Sequence, residues 1–296
     1  MKPQTEQIVA NLEGLTDGLY YSLVGDEPYV ITTWEIEEKG EFSWENFLVD
    51  NKALTPFEPS DFLNKISQSQ SQTVSEHYQN LIELLQANLS HLTIYGYGLP
   101  ELPEDLFNGD LPIEDPIEDY NRQIPEIPVI IGSVAEGEWI GLVPRQCNGT
   151  CSSSQFIIPD MTSISASSAA LVEQIESITS QIEHQSQYWR LQKLWKIVVT
   201  SSRNLLMEKL LDDADFLDIY ELERFLRLDS KDEEELEDED TQKEFQIRDF
   251  FQSPLLNSRV YNLDFNCGGE NFTLHYVLGQ TEDGDWMGLI TDSFTF

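Results

Sequence analysis

The chain has 296 residues, of which 40% are hydrophobic and 11% aromatic; this is too apolar for a disordered chain and long enough for one or two domains with ordinary cores. Its 54 acidic and 17 basic residues give a formal net charge of −37. We expect no direct binding of DNA or RNA, because such affinity comes largely from Lys and Arg side chains that neutralise phosphates.

The acidic charge has two interpretations. It can serve solubility or adaptation to a salty cell, or it can direct the protein to a basic partner. Only the second predicts association that weakens as salt is added.

Membrane, export and metal signals are weak or missing in the sequence. No stretch approaches the 18 to 20 apolar residues of a membrane span, and the first residues lack the basic and apolar regions of a secretory signal, so we expect a cytoplasmic protein that does not contact a membrane. Three cysteines, Cys147, Cys151 and Cys267, fit a reducing compartment. The four histidines are scattered without ligand spacing, so we predict no metal and no cofactor.

The first third of the chain alternates helical and strand patterns. The predicted elements are a helix over 5–15, a β-hairpin of 19–24 and 29–34, helices over 57–66 and 78–89, and a strand over 92–95. The hairpin has an acidic tip that contains Asp26 and Glu27. Residues 99–128 interleave prolines with acidic residues, which predicts a long surface loop.

A second hairpin and a largely helical region follow. Residues 129–132 and 139–143 flank a turn and predict the hairpin. Apolar residues recur at helical spacing through 165–228, which predicts helix almost throughout. Its basic part, 190–209, could be a membrane-surface or calmodulin-target helix, but we favour docking against the acidic body. Residues 230–244 read as a solvated, mobile acidic run.

An internal repeat indicates duplication. Residues 131–142 match 278–289 at a constant separation of 147, and positions in 85–95 match 251–261 at a separation of 166. The second copy shows no equivalent of the first hairpin. We therefore predict a first domain over 1–145, a linker over 146–164, and a helical segment with a partial, degenerate second copy over 165–296.

The first half resembles a known family. Glu6-Gln7-Ile8, Asp17-Gly18-Leu19, Pro28-Tyr29 and Trp34-Glu35, followed by the 81–89 helix, Ile94-Tyr95 and the 132–141 hairpin, resemble the bacterial nuclease A inhibitors. The match covers most of 1–145 and recurs in part from about 244 to 296. The resemblance implies an α+β protein, an α/β/α sandwich, with a second degenerate copy that carries extra helices.

The resemblance also implies a function. Members of the family bind a sugar-non-specific DNA/RNA nuclease and block its active-site cleft, and the loop after their first strand carries acidic contacts. The nearest carboxylates here are Asp26 and Glu27. Glu35, in the Trp34-Glu35 part of the match, and Glu136 and Glu138, beside a turn glycine, complete the candidate partner-binding set. An acidic protein suits such a cleft, which is basic because it holds phosphates.

An enzyme is not expected, because the sequence has no GxSxG, phosphate-binding glycine loop, HExxH or EF-hand pattern. We predict an acidic inhibitor that blocks a nuclease cleft. The alternative is a non-inhibitory adaptor or scaffold of the same fold that binds another basic protein or peptide. A third possibility is an acidic, salt-adapted domain without a partner.

Overall fold

The computed structural model describes residues 2–21, 27–101, 106, 127–134, 137–146, 164–184, 191–226, 238–267 and 270–295. The helices in these ranges are α1 (Pro3–Thr16), α2 (Ile36–Lys39), α3 (Trp44–Asp50), α4 (Pro59–Ser69), α5 (Gln72–Asn88), α6 (Ala166–Thr179), α7 (Arg203–Asp213), α8 (Leu222–Leu226) and α9 (Glu239–Gln252). The strands are β1 (Tyr20–Tyr21), β2 (Glu27–Pro28), β3 (Val30–Trp34), β4 (Leu54–Phe57), β5 (Ser90–Tyr97), β6 (Ile127–Ser133), β7 (Trp139–Gln146), β8 (Leu191–Thr200), β9 (Leu217–Tyr220), β10 (Leu256–Cys267), β11 (Glu270–Gln280) and β12 (Trp286–Thr295).

The helices begin at residues suited to helix starts. Side-chain oxygens of Ser71, Ser165 and Asp238 accept hydrogen bonds from the first free backbone amides of α5, α6 and α9. Helices α1 and α4 instead have a proline in the first turn, where no amide donor is needed.

Two five-stranded antiparallel sheets organise the molecule. Sheet I has the order β4-β5-β6-β7-β8, and sheet II has the order β3-β12-β11-β10-β9. A short ribbon pairs β1 with β2. The predicted α+β class is confirmed. No helix in the described part of the chain has the length and apolar character of a membrane span.

Alternating residues of the strands pack into different hydrophobic cores. Residues Ile130, Ile140 and Leu142 of sheet I pack with α4, α5 and α6, while Val260, Val277 and Leu289 of sheet II pack with α1, α8 and α9. The opposite faces of both sheets meet in a central core that also holds α3 and α7. Helices therefore cover the outer face of each sheet. The inner faces of the two sheets both pack against the central core.

Aromatic rings join the two sheets in the central core. Trp44 of α3 lies 4.6 Å from Tyr261 of sheet II, and Phe47 lies 5.3 Å from Tyr276, measured between ring centroids. Tyr97 of sheet I stacks on Phe265 of sheet II at 5.9 Å. These contacts bury large rings between the sheets and make the central core common to both.

Matched backbone irregularities support the duplication. Two pairs of residues share positive φ angles at the spacings of the repeat: His91 with Asn257, and Gly137 with Gly284. Lys52 and Asp215, which precede the equivalent strands β4 and β9, form a third such pair at a separation of 163. The pairing irregularity of β5 with β6, between 90 and 93, recurs between 256 and 259 where β10 pairs with β11. Such positions are set by local backbone geometry, so both copies use the same path.

The two copies exchange their first strands. Strand β3 of the first copy pairs with β12 at the end of the second, and β8 of the second pairs with β7 of the first. Residues 54–213 therefore supply all of sheet I, whereas both ends of the chain supply sheet II. The predicted boundary at 146–164 does not separate the sheets, because each predicted domain contributes a strand to the other's sheet.

Two of the predicted elements need correction. Residues 191–200 form strand β8 and 217–220 form β9, so 165–228 is not continuous helix and 190–209 is not one basic helix. Strand β8 of the second copy is equivalent to β3, so the second copy does contain the second strand of the predicted first hairpin. Among the described residues the first hairpin is limited to the β1–β2 ribbon, and β3 pairs with β12.

Several predictions concern residues outside the described ranges. These include most of the proline-rich loop at 99–128, most of the linker at 146–164, and residues 230–237 of the acidic run. Within the loop, Leu106 is described and is buried in the central core. The end of the acidic run is helical rather than mobile, because 239–244 begin α9.

Candidate protein-binding groove

A groove of about 830 Å³ lies between helix α1 and strand β3. We call it the α1–β3 groove; it is lined by residues drawn from 10–20 on one side and by 28–31 on the other. It runs beside the β1–β2 ribbon, whose strands enclose the predicted acidic tip. The described residues of this ribbon that line the groove are Tyr20 and Pro28.

The end of α1 sets the acidic wall of the groove. Ile8 and Leu12 are buried in the core of sheet II, which leaves Glu13 and Asp17 on the other side of the chain, where they line the groove. Gly18 follows with a φ of 69°, a left-handed conformation that glycine adopts without strain, and turns the chain into β1. Lys243 of α9 donates to the Asp17 carbonyl oxygen at 2.9 Å, which holds this turn against the helix.

Two tyrosines lie beside the groove, one exposed and one buried. Tyr20 is 50% exposed, although it is a large aromatic residue. Tyr29 is buried, and its hydroxyl has no hydrogen-bond partner among the described residues. Burial, with the nearby Glu244, raises the pKa of Tyr29 well above its usual value, so the hydroxyl stays protonated and can donate. Half-exposed aromatic residues are typical anchors in protein interfaces.

The charge of the groove is negative. Among its described lining residues, the charged side chains are those of Glu13 and Asp17. A cationic side chain that entered the groove would meet the carboxylates of Glu13 and Asp17; the ammonium of Lys243, which donates to the Asp17 carbonyl oxygen, is a described cation beside them. The arrangement favours a Lys- or Arg-bearing partner.

Two predicted contact residues bracket β3. Glu27 lies in β2, where its backbone pairs with Tyr21, and Glu35 directly follows the strand at the start of α2. Glu35 is half-buried. Asp26 and Glu136 lie outside the described residues.

Glu138 has a different environment from the other predicted residues. Its carboxylate accepts hydrogen bonds from the Ser165 amide at 3.0 Å and hydroxyl at 2.6 Å, and from the Ser168 hydroxyl. These bonds lower the pKa of Glu138. The equivalent Asp285 accepts from Thr5 Oγ1 at 2.9 Å and from the Ile36 amide at 3.0 Å. In each copy this carboxylate holds the start of the other copy's first helix, so Glu138 is engaged within the protein.

The predicted residues therefore do not form one cluster. Glu27 and Glu35 lie at the two ends of β3 in sheet II, whereas Glu138 precedes β7 in sheet I. Glu13, Asp17 and the exposed Tyr20 were not predicted. The amphipathic pattern of α1 places the two acids away from its apolar face, but the sequence does not say which strand that side meets.

A buried polar network crosses sheet II. His275 Nδ1 donates to Asn262 Oδ1 at 2.6 Å, and Ser293 Oγ donates to His275 Nε2 at 2.8 Å. Asn262 Oδ1 also accepts from the Tyr220 hydroxyl at 2.9 Å. Because an amide oxygen only accepts hydrogen bonds, the proton of His275 is on Nδ1, and Nε2 is the acceptor. The network joins β9, β10, β11 and β12.

This network resembles the hydrogen bonding of a hydrolase nucleophile and base, but its environment differs. His275 and Ser293 are 3% and 5% exposed, and the rings of Tyr21 and Phe225 lie against the histidine. Burial lowers the pKa of His275 to about 3, so it is neutral in the folded protein. A substrate has no path to a buried Ser293 hydroxyl in this conformation, and the network acts as a link between strands.

The described residues contain no group of three or more His, Cys, Asp or Glu side chains arranged to hold a metal ion. Comparison with known proteins adds no relative: no family model, curated protein or solved structure matches the chain. The groove, the net charge and the sequence resemblance are therefore the features that bear on function.

Proposed function

We propose that this protein binds a basic protein stoichiometrically through the α1–β3 groove and the neighbouring ribbon, and that it inhibits a sugar-non-specific nuclease. The observation that carries the proposal is the acidic lining of the groove by Glu13 and Asp17, beside the exposed Tyr20. The resemblance to the nuclease A inhibitors places acidic contacts at Asp26 and Glu27, in and next to the same ribbon.

The charge of the chain supports the same proposal. A nuclease cleft must hold phosphates and is therefore basic, so a protein with a net charge of −37 is attracted to it over long range. Occupation of the cleft by carboxylates would exclude the substrate. The same charge disfavours direct binding of nucleic acid.

The alternative is an adaptor that binds another basic protein or peptide without inhibiting an enzyme. The concave shape of the groove favours it, because a groove receives a protruding segment whereas blocking a cleft requires a protrusion. Glu138 also favours it, since one predicted contact is already hydrogen-bonded within the chain. The two functions differ in one outcome: an inhibitor lowers the activity of the nuclease that it binds, whereas an adaptor binds its partner without changing any enzyme activity.

The test is a titration of the protein into sugar-non-specific and other metal-dependent nucleases at low and moderate salt, with DNA cleavage as the readout. We expect stoichiometric inhibition that weakens with salt. The double variant Glu13→Gln/Asp17→Asn should weaken it about tenfold, since each rim charge contributes roughly 0.2–1 kcal/mol. The matched control is Glu176→Gln, the position on α6 equivalent to Glu13, which should leave inhibition unchanged.

Three outcomes separate the alternatives. Inhibition with the expected variant and salt dependence supports cleft blocking. Binding of a basic protein with full nuclease activity supports the adaptor. Full activity together with no binding of any basic protein at low salt rejects both.

A further inference from the structure

Strand β3 has an open edge. In sheet II it pairs with β12 on one side, and no described strand pairs with its other side. In an antiparallel edge strand about half of the backbone amides and carbonyls point away from the neighbouring strand. Val30 and Ile31 of this strand also line the α1–β3 groove.

The other sheet edges carry residues that oppose strand addition. Edge strand β8 has Lys196, whose side chain is 12% exposed and lies 4.0 Å from Asp213, so it is an inward-pointing charge. Edge strand β4 contains Pro56, and edge strand β9 contains Asp218. Inward charges and prolines are devices that keep edges from pairing with other chains.

Strand β3 has none of these devices. Its sequence is Val-Ile-Thr-Thr-Trp, with no charge and no proline, and Val30 stands at the position that Lys196 occupies in β8. Four of its five residues are β-branched and suit pairing. The two equivalent strands thus differ at the residue that blocks an edge.

We propose that the partner adds an extended, Lys- or Arg-bearing segment to β3 as an additional antiparallel or parallel strand within the α1–β3 groove. This inference rests on the proposed function and specifies how the partner is held. Five residues of strand span about 17 Å, which fits a segment of five or six residues. The backbone of the segment pairs with β3, and cationic side chains on one face reach Glu13 and Asp17.

The occupant is basic because of the walls of the groove and the end of the strand. Glu13 and Asp17 line the groove, and Glu35 directly follows β3. Main-chain pairing supplies affinity that depends little on sequence, and the carboxylates select charge.

The test uses the full chain and a synthetic probe, a fluorescent seven-residue peptide of alternating Lys and Val. Its matched control has the same sequence with N-methyl groups on alternate residues, which removes the amides of one edge while keeping the charge. We expect the unmethylated peptide to bind about tenfold more tightly, in the range that a few backbone hydrogen bonds supply. Hydrogen exchange of residues 30–34 should slow at least about tenfold when it binds.

Two variants locate the interaction. Val30→Lys copies the blocking residue of β8 and should reduce binding of the unmethylated peptide at least about tenfold. Lys196→Val is the matched change on the equivalent strand and should leave the exchange of 30–34 unchanged. The comparison of the two peptides needs no variant, so it decides the matter even if Val30→Lys fails to fold.

The outcomes distinguish this inference from the proposed function. Equal binding of both peptides, with unchanged exchange at 30–34, overturns strand addition and leaves an acidic groove that binds basic chains. Inhibition of a nuclease without binding of either peptide also overturns strand addition while the proposed function stands. No binding of peptide, nuclease or other basic protein rejects both.

Discussion

The glycine pair Gly141 and Gly288 offers a sharp test of the fold, because the two residues occupy equivalent positions in the two copies but have different neighbours. A Cβ atom on Gly288 would lie 1.7 Å from the carbonyl oxygen of Val277, the adjacent strand's backbone. A Cβ on Gly141 would lie 2.9 Å from a terminal methyl carbon of Leu210 and 3.2 Å from one of Leu206. Side chains can rotate, but a backbone carbonyl moves only with its strand.

We therefore expect Gly288→Ala to be far more destabilising than Gly141→Ala. Relief of the first clash must separate β11 from β12, which breaks ladder hydrogen bonds worth about 1 kcal/mol each and loosens the core row of Val277 and Leu289, so the loss should be at least about 3 kcal/mol. Gly141→Ala needs only small shifts of leucine rotamers and should cost about 1 kcal/mol.

The measurement is equilibrium unfolding in urea followed by tryptophan fluorescence, with Trp44 and Trp34 as buried reporters. The slope of free energy against denaturant should be unchanged for Gly141→Ala. Similar losses in the two variants, or a larger loss for Gly141→Ala, would contradict the described register of β11 and β12. Because Gly288 pairs with Thr32, Gly288→Ala should also disturb the β3 edge.

Three further predictions concern polar groups that are hydrogen-bonded within the protein. Arg203→Met should lower the free energy of unfolding by about 2–3 kcal/mol in urea titrations, because it leaves the buried Glu45 carboxylate without its bidentate partner at 2.9 and 2.5 Å; the 40% exposure of Arg203 lets water soften the loss. Arg203→Lys should recover part of it, and unchanged stability in Arg203→Met would contradict a stabilising pair with Glu45. His275 is neutral when folded and has a pKa near 3, whereas the unfolded histidine takes up a proton near pH 6.5, so its burial reduces stability as the pH falls between these values. From pH 7 to pH 5 the wild type should lose about 2 kcal/mol relative to His275→Gln, and parallel pH profiles would contradict this burial. Glu138→Gln weakens the cap at Ser165 and should cost about 0.5–1 kcal/mol of stability without changing partner affinity; a loss of affinity at full stability would instead make Glu138 a contact residue.

Local elements and the existence of the repeat were predictable from the sequence. Helices α1 and α5 have clear apolar faces, and the β6–β7 hairpin has a turn between two apolar runs. The match at a separation of 147 appears in the structure as the equivalent turns at Gly137 and Gly284, both with positive φ. Helical spacing, strand alternation and turn residues are local properties, so a sequence expresses them directly.

The error at β8 has a physical cause. Ile197 and Val198 are adjacent and both buried, because α5 and α6 cover one face of the strand and α7 covers the other. A strand buried on both faces has no alternating pattern, and its apolar residues at 191, 194, 195 and 198 coincide with helical spacing. The β-branched run at 197–200 was the available indication of a strand.

Pairing between distant segments was decided only by the tertiary structure. Trp34 pairs with Trp286, and nothing near either residue specifies that partner. The exchange of β3 and β8 between the copies, the engagement of Glu138 with α6, and the meeting of α1 with β3 all follow from this pairing. The sequence by itself determined an acidic, duplicated α+β chain with a candidate acidic ribbon. The groove beside that ribbon exists because long-range burial of apolar faces, which local patterns do not encode, placed α1 on the outer face of sheet II beside β3.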